Sequence, residues 1–522
     1  MKKIKYILIF AFIFSIGACT DGFEELNQNP NQITDESLKQ DFQIVGSKYA
    51  PLFQNLFGNQ IHHNLSNESW AQHLAQPTVF VGNANNTTYD ITWNPNWGRT
   101  YNNIMSPSGL VMLLAEEAEL PLFVHWAKLI RILAMSRLTA FHGPVIFTQF
   151  GGAQAGYDSE PILYNAFFTQ LDEILAFFKA NVNAQDMMQF DESYGGDISS
   201  WIRLVNSMRL RLAMRISMAD PVLAKTQGEK ALSDSGGLIE SNDQNLNVFL
   251  YGKVYHPVTI SFGWADTRMS ATMESVLVGY KDPRISKFFD EVADPALVPD
   301  HPEFPYKGIR SGASLDAKGD HTMYSNISSD FKTVTERRFM GAAEVEFIKA
   351  EAALRGWSGV GTAQSHYEAG VNRSFEEWGA AGAATYLANN TDLPIDYDDI
   401  VYQGDRNDFV NKMTVTVAWD NALSNEEKLD KIITQKWIAS RTNTMESWVD
   451  HRRTGYPKLP NIFDNRSNAE DGILADDEFL RRVIYTNGQR QNNAAKVAEA
   501  VGFLGGPDEI GTRLWWDTGA NF

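Results

Sequence analysis

The chain has almost no cysteine. Cys19 is the only one among 522 residues, so the folded body can hold no disulfide framework, no thiolate metal site and no cysteine nucleophile. Stability must come from packing alone. Basic charge is also in deficit. The 45 Lys and Arg stand against 64 Asp and Glu, a formal charge of -19, which repels phosphate backbones and makes nucleic acid a poor partner. The N-terminal apolar run, Tyr6 to Ile16, falls far short of the ~20 residues a membrane-spanning helix requires. No Gly-x-Ser-x-Gly elbow, His-Glu-x-x-His helix or phosphate-cradling loop occurs, and Gly359-Val360-Gly361 reads as a turn. What is present in quantity is apolar residue, 43% of the chain, enough to bury a large core.

The N-terminus is an address. Lys2, Lys3 and Lys5 precede the run Tyr6 to Ile16, and Gly17, Ala18 and Cys19 follow it, the pattern of a secretory signal peptide. A cysteine straight after small residues looks like a bacterial lipobox, in which Cys19 is acylated and becomes the mature N-terminus. Acyl chains at ~0.8 kcal/mol per buried methylene anchor a soluble domain without any crossing helix. We therefore expect residues 1–18 to be removed and residues 19–36 to form a lipidated tether. Thr20 to Gln32 is polar, with Pro30 among asparagines, and the folded body is expected to begin near Ser37.

Apolar residues recur at helical spacing in Leu122 to Phe141, Phe167 to Phe178, Trp201 to Met218, Met340 to Leu354 and Ile432 to Trp448. The fold class is mainly α. In the third block Trp201, Leu204, Val205, Met208 and Leu212 mark one face, and Arg203, Arg211 and Arg215 are expected away from it. Met340 to Arg355 and Thr362 to Trp378, joined by the glycine-rich Gly356 to Gly361, read as a helix-turn-helix pair close to the ~34-residue tetratricopeptide period. Two long irregular stretches, Asn59 to Tyr101 and Asn247 to Phe331, hold aromatics among Asn, Gly, Pro and Asp, and loops of that length in a folded protein are usually functional or disordered.

Several blocks in order carry a resemblance. They are Phe23 to Asn31 after the lipobox, Trp97 with Tyr101-Asn102-Asn103-Ile104, Met135 to Thr139 leading to Gly143-Pro144-Val145, and Asn206 to Ala213. Asp282-Pro283-Arg284, Glu344 to Ala352, and Glu426-Glu427-Lys428 through Arg441 to Trp448 and Arg452-Arg453 follow. Together they resemble the SusD/RagB family of nutrient-binding outer-membrane lipoproteins of Bacteroidetes. The resemblance implies a single SusD-like domain over residues 37–522, with tetratricopeptide-like helix pairs as scaffold and a long-loop ligand face. It implies capture rather than catalysis, delivery to a SusC-like TonB-dependent transporter, and a lipid-anchored position on the outer membrane facing the exterior.

Sugars present flat C–H patches flanked by hydroxyls, so a binding face needs exposed rings with amides and carboxylates around them. The first irregular stretch offers His63, Trp70, Asn85, Asn86 and Tyr89 around Trp93, the expected stacking platform. The second offers Trp264, Asp266 and Arg268, a ring, an acceptor and a forked donor at spacing two, with Tyr306 and Tyr324 beyond. A capping role for Asp266 ahead of Met269 to Tyr280 is the structural alternative, and for Trp93 it is a loop aromatic folded onto the core. Trp97 and Tyr101 are expected to pack.

Catalytic and metal chemistry draw little support. Glu344, Glu346 and Glu351 sit in a helical block where structural roles are expected, not the paired carboxylates of a glycosidase. His62, His63 and His73 match no zinc spacing. Asp396, Asp398, Asp399 and Asp405 lie in a segment that lacks the glycine and closing glutamate of an EF-hand, so no cofactor is expected beyond, at most, a structural calcium there. The acid excess and the Trp-, Tyr- and Asn-rich loops favour a neutral oligosaccharide as ligand. A peptide ligand, or a lid with no affinity of its own, are the rival readings.

Overall fold

Short polar side chains set the helix ends. In the computed structural model Asp197 accepts from the backbone N–H groups of Ser199 and Ser200 ahead of Ile198–Arg215, Asp220 from Leu223 ahead of Pro221–Leu232, and Thr362 from Ser365 ahead of Ala363–Glu377. Ser424 and Glu427 form a reciprocal capping box at Asn425–Ala439. Each satisfies donors that a first helical turn leaves unpaired.

The structure describes residues 42–58, 60–78, 86–91, 97–153, 155–250, 256–313, 315–402 and 407–522. The expected signal segment and tether, with Cys19, lie outside them. The chain divides into two units, 1–47 and 48–522; the described part of the first is residues 42–47, with the single helical turn Gln43–Gly46. The account below concerns the second unit.

Among its described residues are twelve helices of eight residues or more: α1 Ser106–Glu117, α2 Pro121–His142, α3 Glu160–Ala180, α4 Ile198–Arg215, α5 Pro221–Leu232, α6 Pro257–Trp264, α7 Ala271–Gly279, α8 Ala342–Leu354, α9 Ala363–Glu377, α10 Asn425–Ala439, α11 Met445–Thr454 and α12 Ala494–Leu504. Strands are few and short. β1 Leu74–Ala75 pairs antiparallel with β3 Arg268–Met269, Leu74 opposite Met269 and Ala75 opposite Arg268. β2 Leu246–Phe249 pairs antiparallel with β4 Glu336–Met340, with an irregularity between Leu246 and Asn247. The protein is mainly helical, as its periodicity indicates.

The scaffold is a run of helices in which each packs on the next: α1 on α2, α2 on α3, α3 on α4, α4 on α5, then α8 on both α9 and α10, with α4 against α8 joining the two runs. Glycine permits the closest approaches. A Cβ on Gly370 of α9 would stand 2.8 Å from the Phe347 ring of α8, and one on Gly228 of α5 would stand 2.1 Å from Trp357 in the α8–α9 connection. Trp126, Trp201, Trp437, Trp448 and Trp516 are fully buried, and Tyr49 stacks on Trp126 at 4.1 Å.

Three expectations change. Arg211 and Arg215 do not lie away from the core. They are buried, Arg211 paired with Glu344 of α8 at 2.6 Å and Arg215 with Glu446 of α11 at 2.8 Å, because α4 is covered on almost every side and its cations meet carboxylates from neighbouring helices. The block Ile432 to Trp448 is two helices, broken between Ala439 and Met445 where Thr442 takes a left-handed φ of 76°. Met340 belongs to β4, with Gly341 separating it from α8.

Candidate ligand-binding face

The face is assembled at the end of α6. Pro257 starts this helix and the His256 ring accepts from Val258 N–H (3.3 Å). Ala265, left-handed at φ 56°, ends it. Trp264, on its last residue, is 71% exposed. It is the one tryptophan among the described residues turned out to solvent. The helix rests on the turn Gln60–His62 and on the turn Ser329–Thr333. Gln60 Nε2 donates to Asp266 Oδ2 (2.9 Å), Thr259 Oγ1 donates to the Phe331 carbonyl (3.2 Å), and Lys332 Nζ lies 4.6 Å from the centre of the Phe262 ring. Below, the β1–β3 pair is tied to Gln72. Its side chain accepts from Thr272 Oγ1 (2.6 Å) and donates to the Pro460 carbonyl (2.8 Å), and its backbone carbonyl accepts from Ser270 Oγ.

Asp266 and Arg268 do not share an exposed side with Trp264. Both are buried, since Ala265 turns the chain inward and Arg268 enters β3. Nor does Asp266 cap the next helix. That helix begins at Ala271, and Ser270 caps it through Met273 N–H. Burial holds the Arg268 guanidinium down to about 10, against the pull of Asp290. Tyr306 is buried in an apolar cluster with Met273, Leu277 and Phe289, and burial, with Glu291 and Asp290 nearby, raises its hydroxyl to about 12. Tyr324 is buried in a smaller cluster with Ala75, Ile309, Ala313 and Leu315 and donates to Asp399 (3.0 Å).

The described residues expected at the site in the first irregular stretch, Trp70, Asn86, Tyr89 and His63, are framework. Trp70 is buried against Trp448 (4.8 Å between rings), and its Nε1 donates to the Asn86 carbonyl (3.0 Å). Asn86 Nδ2 donates in turn to the Leu65 carbonyl (2.5 Å). Tyr89 is buried with a left-handed φ of 62°, and burial raises its hydroxyl. His63 is buried beside Phe57 with its Nε2 at the Phe57 carbonyl. Burial, then the nearby Arg337 and Arg137, keep it neutral. A loop without regular ladders must satisfy its backbone through side chains, and Trp70, Asn86, His63 and Asn67 do that work here. Trp93 and Asn85 lie outside the described residues. Trp97 is buried among Tyr101, His142, Tyr157 and Tyr485.

Gln60, Phe262 and Lys332 support the platform without having been singled out in the sequence. Phe262-Gly263-Trp264 beside a helix end was the available signal. A separate open cleft of about 540 Å³ lies past the C-terminal end of α7. On its wall the buried Glu274 accepts from Lys307 Nζ (3.0 Å) and from the Gly308 N–H (2.6 Å), and Asp300, Glu303, Asp392, Asp396 and Asp398 add to its lining. None of the residues expected to bind ligand lines it, but Asp396 and Asp398 of the acidic segment do. Among the described residues no three side chains of the metal-ligating kind converge; Asp405 falls outside them. Glu344, Glu346 and Glu351 each pair with a cation, Arg211, Lys349 and Arg453.

Among the described residues the helical scaffold carries one bare indole, at a helix end, where a flat ligand can stack. The chain belongs to the SusD-like family, the SusD and RagB outer membrane lipoproteins, whose model matches residues 25–517. It is similar to a chitin-binding SusD homologue from Flavobacterium johnsoniae, with a TM-score of 0.84 and 37% identity over 92% of this chain and 100% of that one. A SusD homologue from Bacteroides vulgatus matches at 0.84 and 32% over 92% and 99%, and a SusD-like protein from Bacteroides thetaiotaomicron at 0.81 and 30% over 90% and 98%. Among curated proteins no match was found.

Proposed function

We propose that the protein captures a neutral oligosaccharide of the N-acetylhexosamine type, stacking a sugar ring on Trp264, and passes it to a SusC-like TonB-dependent transporter. The observation that carries the reading is the exposure of Trp264 on a helix end braced by Gln60, Phe262 and Lys332. An indole left in water at 71% exposure buries its apolar face when a sugar's C–H patch covers it. The chitin-binding homologue at 37% identity supports the choice of sugar, and the charge of -19 favours an uncharged ligand over a polyanion. The test is calorimetry of residues 20–522 against chitin oligomers, α- and β-glucans, fructans and peptides. Binding confined to chitin oligomers supports the reading; binding confined to peptides, or to nothing, replaces it with a peptide-binding protein or a transporter lid.

The same proposal places the protein on the outer face of the outer membrane through acylated Cys19. Replacing Cys19 with serine is expected to move the protein from the membrane fraction to the soluble one. Retention at the membrane would show that protein contacts hold it there.

A further inference from the structure

Around Glu68 the core holds more positive charge than it can pair. Glu68, Arg337 and Arg441 are all buried, at 0%, 1% and 0% exposure. Arg337 Nη2 donates to Glu68 Oε1, while Arg441 Nη1 stands 3.7 Å from Glu68 Oε2. One carboxylate therefore serves two guanidiniums, and arginine stays protonated in proteins. Nε, Nη1 and Nη2 of Arg441, with Nε and Nη1 of Arg337, have no protein acceptor, and neither ring nitrogen of the buried His73 has a partner. Aromatic faces hold the cations in place: Arg441 lies 5.2 Å from the Phe289 ring and 5.7 Å from Phe331, and Arg337 5.2 Å from Phe57. Arg137 crowds the same Phe57 ring at 5.4 Å.

We propose that this cluster binds a small monovalent anion of chloride size between Arg441 and Arg337, beside His73. Five guanidinium nitrogens without an acceptor outnumber the acceptors without a hydrogen bond here, Glu68 Oε2 and one ring nitrogen of the neutral His73. A water molecule must donate as well as accept, and an anion only accepts. Its single charge balances the excess of one guanidinium over the Glu68 carboxylate within the Glu68–Arg337–Arg441 group. The nearby histidines supply no further charge. Burial and then Arg441 keep His73 neutral, and burial with Arg337 takes His256 down to about 3. The anion is structural in its consequence. Arg441 stacks under Phe331, whose carbonyl accepts from Thr259 of α6, so the ion seats the helix that carries Trp264.

Crystals of residues 19–522 carrying Cys19→Ser, grown in sodium bromide and measured at the bromine absorption edge, are expected to show an anomalous peak within hydrogen-bonding distance of the Arg441 guanidinium. In solution at constant ionic strength, replacing sodium gluconate by sodium bromide is expected to raise Tm by about 2 °C, and Arg441→Met to abolish that rise. Ordered crystals without the peak overturn the proposal even if Arg441→Met does not fold. A bromide-dependent rise that persists in a folded Arg441→Met protein overturns it as well.

Discussion

Replacing Glu351 with glutamine is expected to lower stability by about 3 kcal/mol or more, the scale on which breaking one side of a buried ion pair acts. Glu351 is 1% exposed. Its two oxygens accept from Arg453 of α11 at 2.6 and 2.7 Å, and Oε1 also accepts from Arg355, just past α8, at 2.9 and 2.7 Å. Arg453 reaches on to Asp450 (3.0 Å), which pairs with Lys436 of α10 (2.8 Å). One carboxylate thus joins α8 to α11 and, through Asp450, to α10. Glutamine keeps the shape but takes away the carboxylate paired with Arg355 and one of the two paired with the buried Arg453.

The pH dependence separates charge from shape. Burial raises the Glu351 carboxyl, but Arg453 and Arg355 outweigh it and bring it to about 2, below its ordinary value of 4.5. A carboxyl depressed in the folded state contributes stability that is fully present above its unfolded pKa and is lost as pH falls through the folded one. The gap between wild type and Glu351→Gln, read as the shift in urea midpoint at unchanged slope, is therefore expected to be widest above about pH 5 and to narrow towards pH 2. A gap that stays constant across this range would assign the loss to packing instead.

Glu351 also shows where sequence and structure part. The helical blocks are legible because apolar spacing is local, and the turn between α8 and α9 is marked by its glycines. A charged residue in a helical block, however, looks the same whether water or an arginine from a distant segment meets it. Arg211 and Glu344 lie 133 positions apart, so their pairing is set by how α4 crosses α8 and by nothing in either segment. The break at Ser440–Thr444 did carry a local signal, since Ser440-Arg441-Thr442-Asn443-Thr444 is a run of polar residues between Ala439 and Met445, but the apolar spacing on either side hid it and only the backbone of Thr442 makes it plain. The ligand face was the least legible part. Trp70 and Trp264 both sit in polar, loop-rich surroundings, yet Trp70 packs on Trp448 and Trp264 faces water. The difference comes from the left-handed turn at Ala265, which sends Asp266 and Arg268 inward and leaves the preceding ring outside. Amides grouped near aromatics pointed towards a sugar site, and in Asn86 they serve the backbone of the loop itself.

Trp264→Ala is expected to weaken chitin-oligomer binding by about 1–3 kcal/mol, a factor of roughly 5 to 150 in Kd, while leaving Tm nearly unchanged. The two readouts diverge because the indole makes little contact within the protein. At 71% exposure its removal opens no cavity, and surface substitutions of this kind stay within about 0.5 kcal/mol. The ring's apolar surface is available to a ligand, which gains by covering it. Trp264→Phe should keep part of the affinity, since a smaller ring still stacks. Lys332→Ala should act indirectly, by freeing Phe262 and loosening the helix end, and so weaken binding less than loss of the indole itself. Unchanged affinity in Trp264→Ala, with oligomer binding intact, would take Trp264 out of the site and turn attention to the acid-lined cleft beside α7. There the five carboxylates Asp300, Glu303, Asp392, Asp396 and Asp398 would favour an amine-bearing sugar over its N-acetylated form, so the same calorimetry repeated with deacetylated oligomers tells the two locations apart.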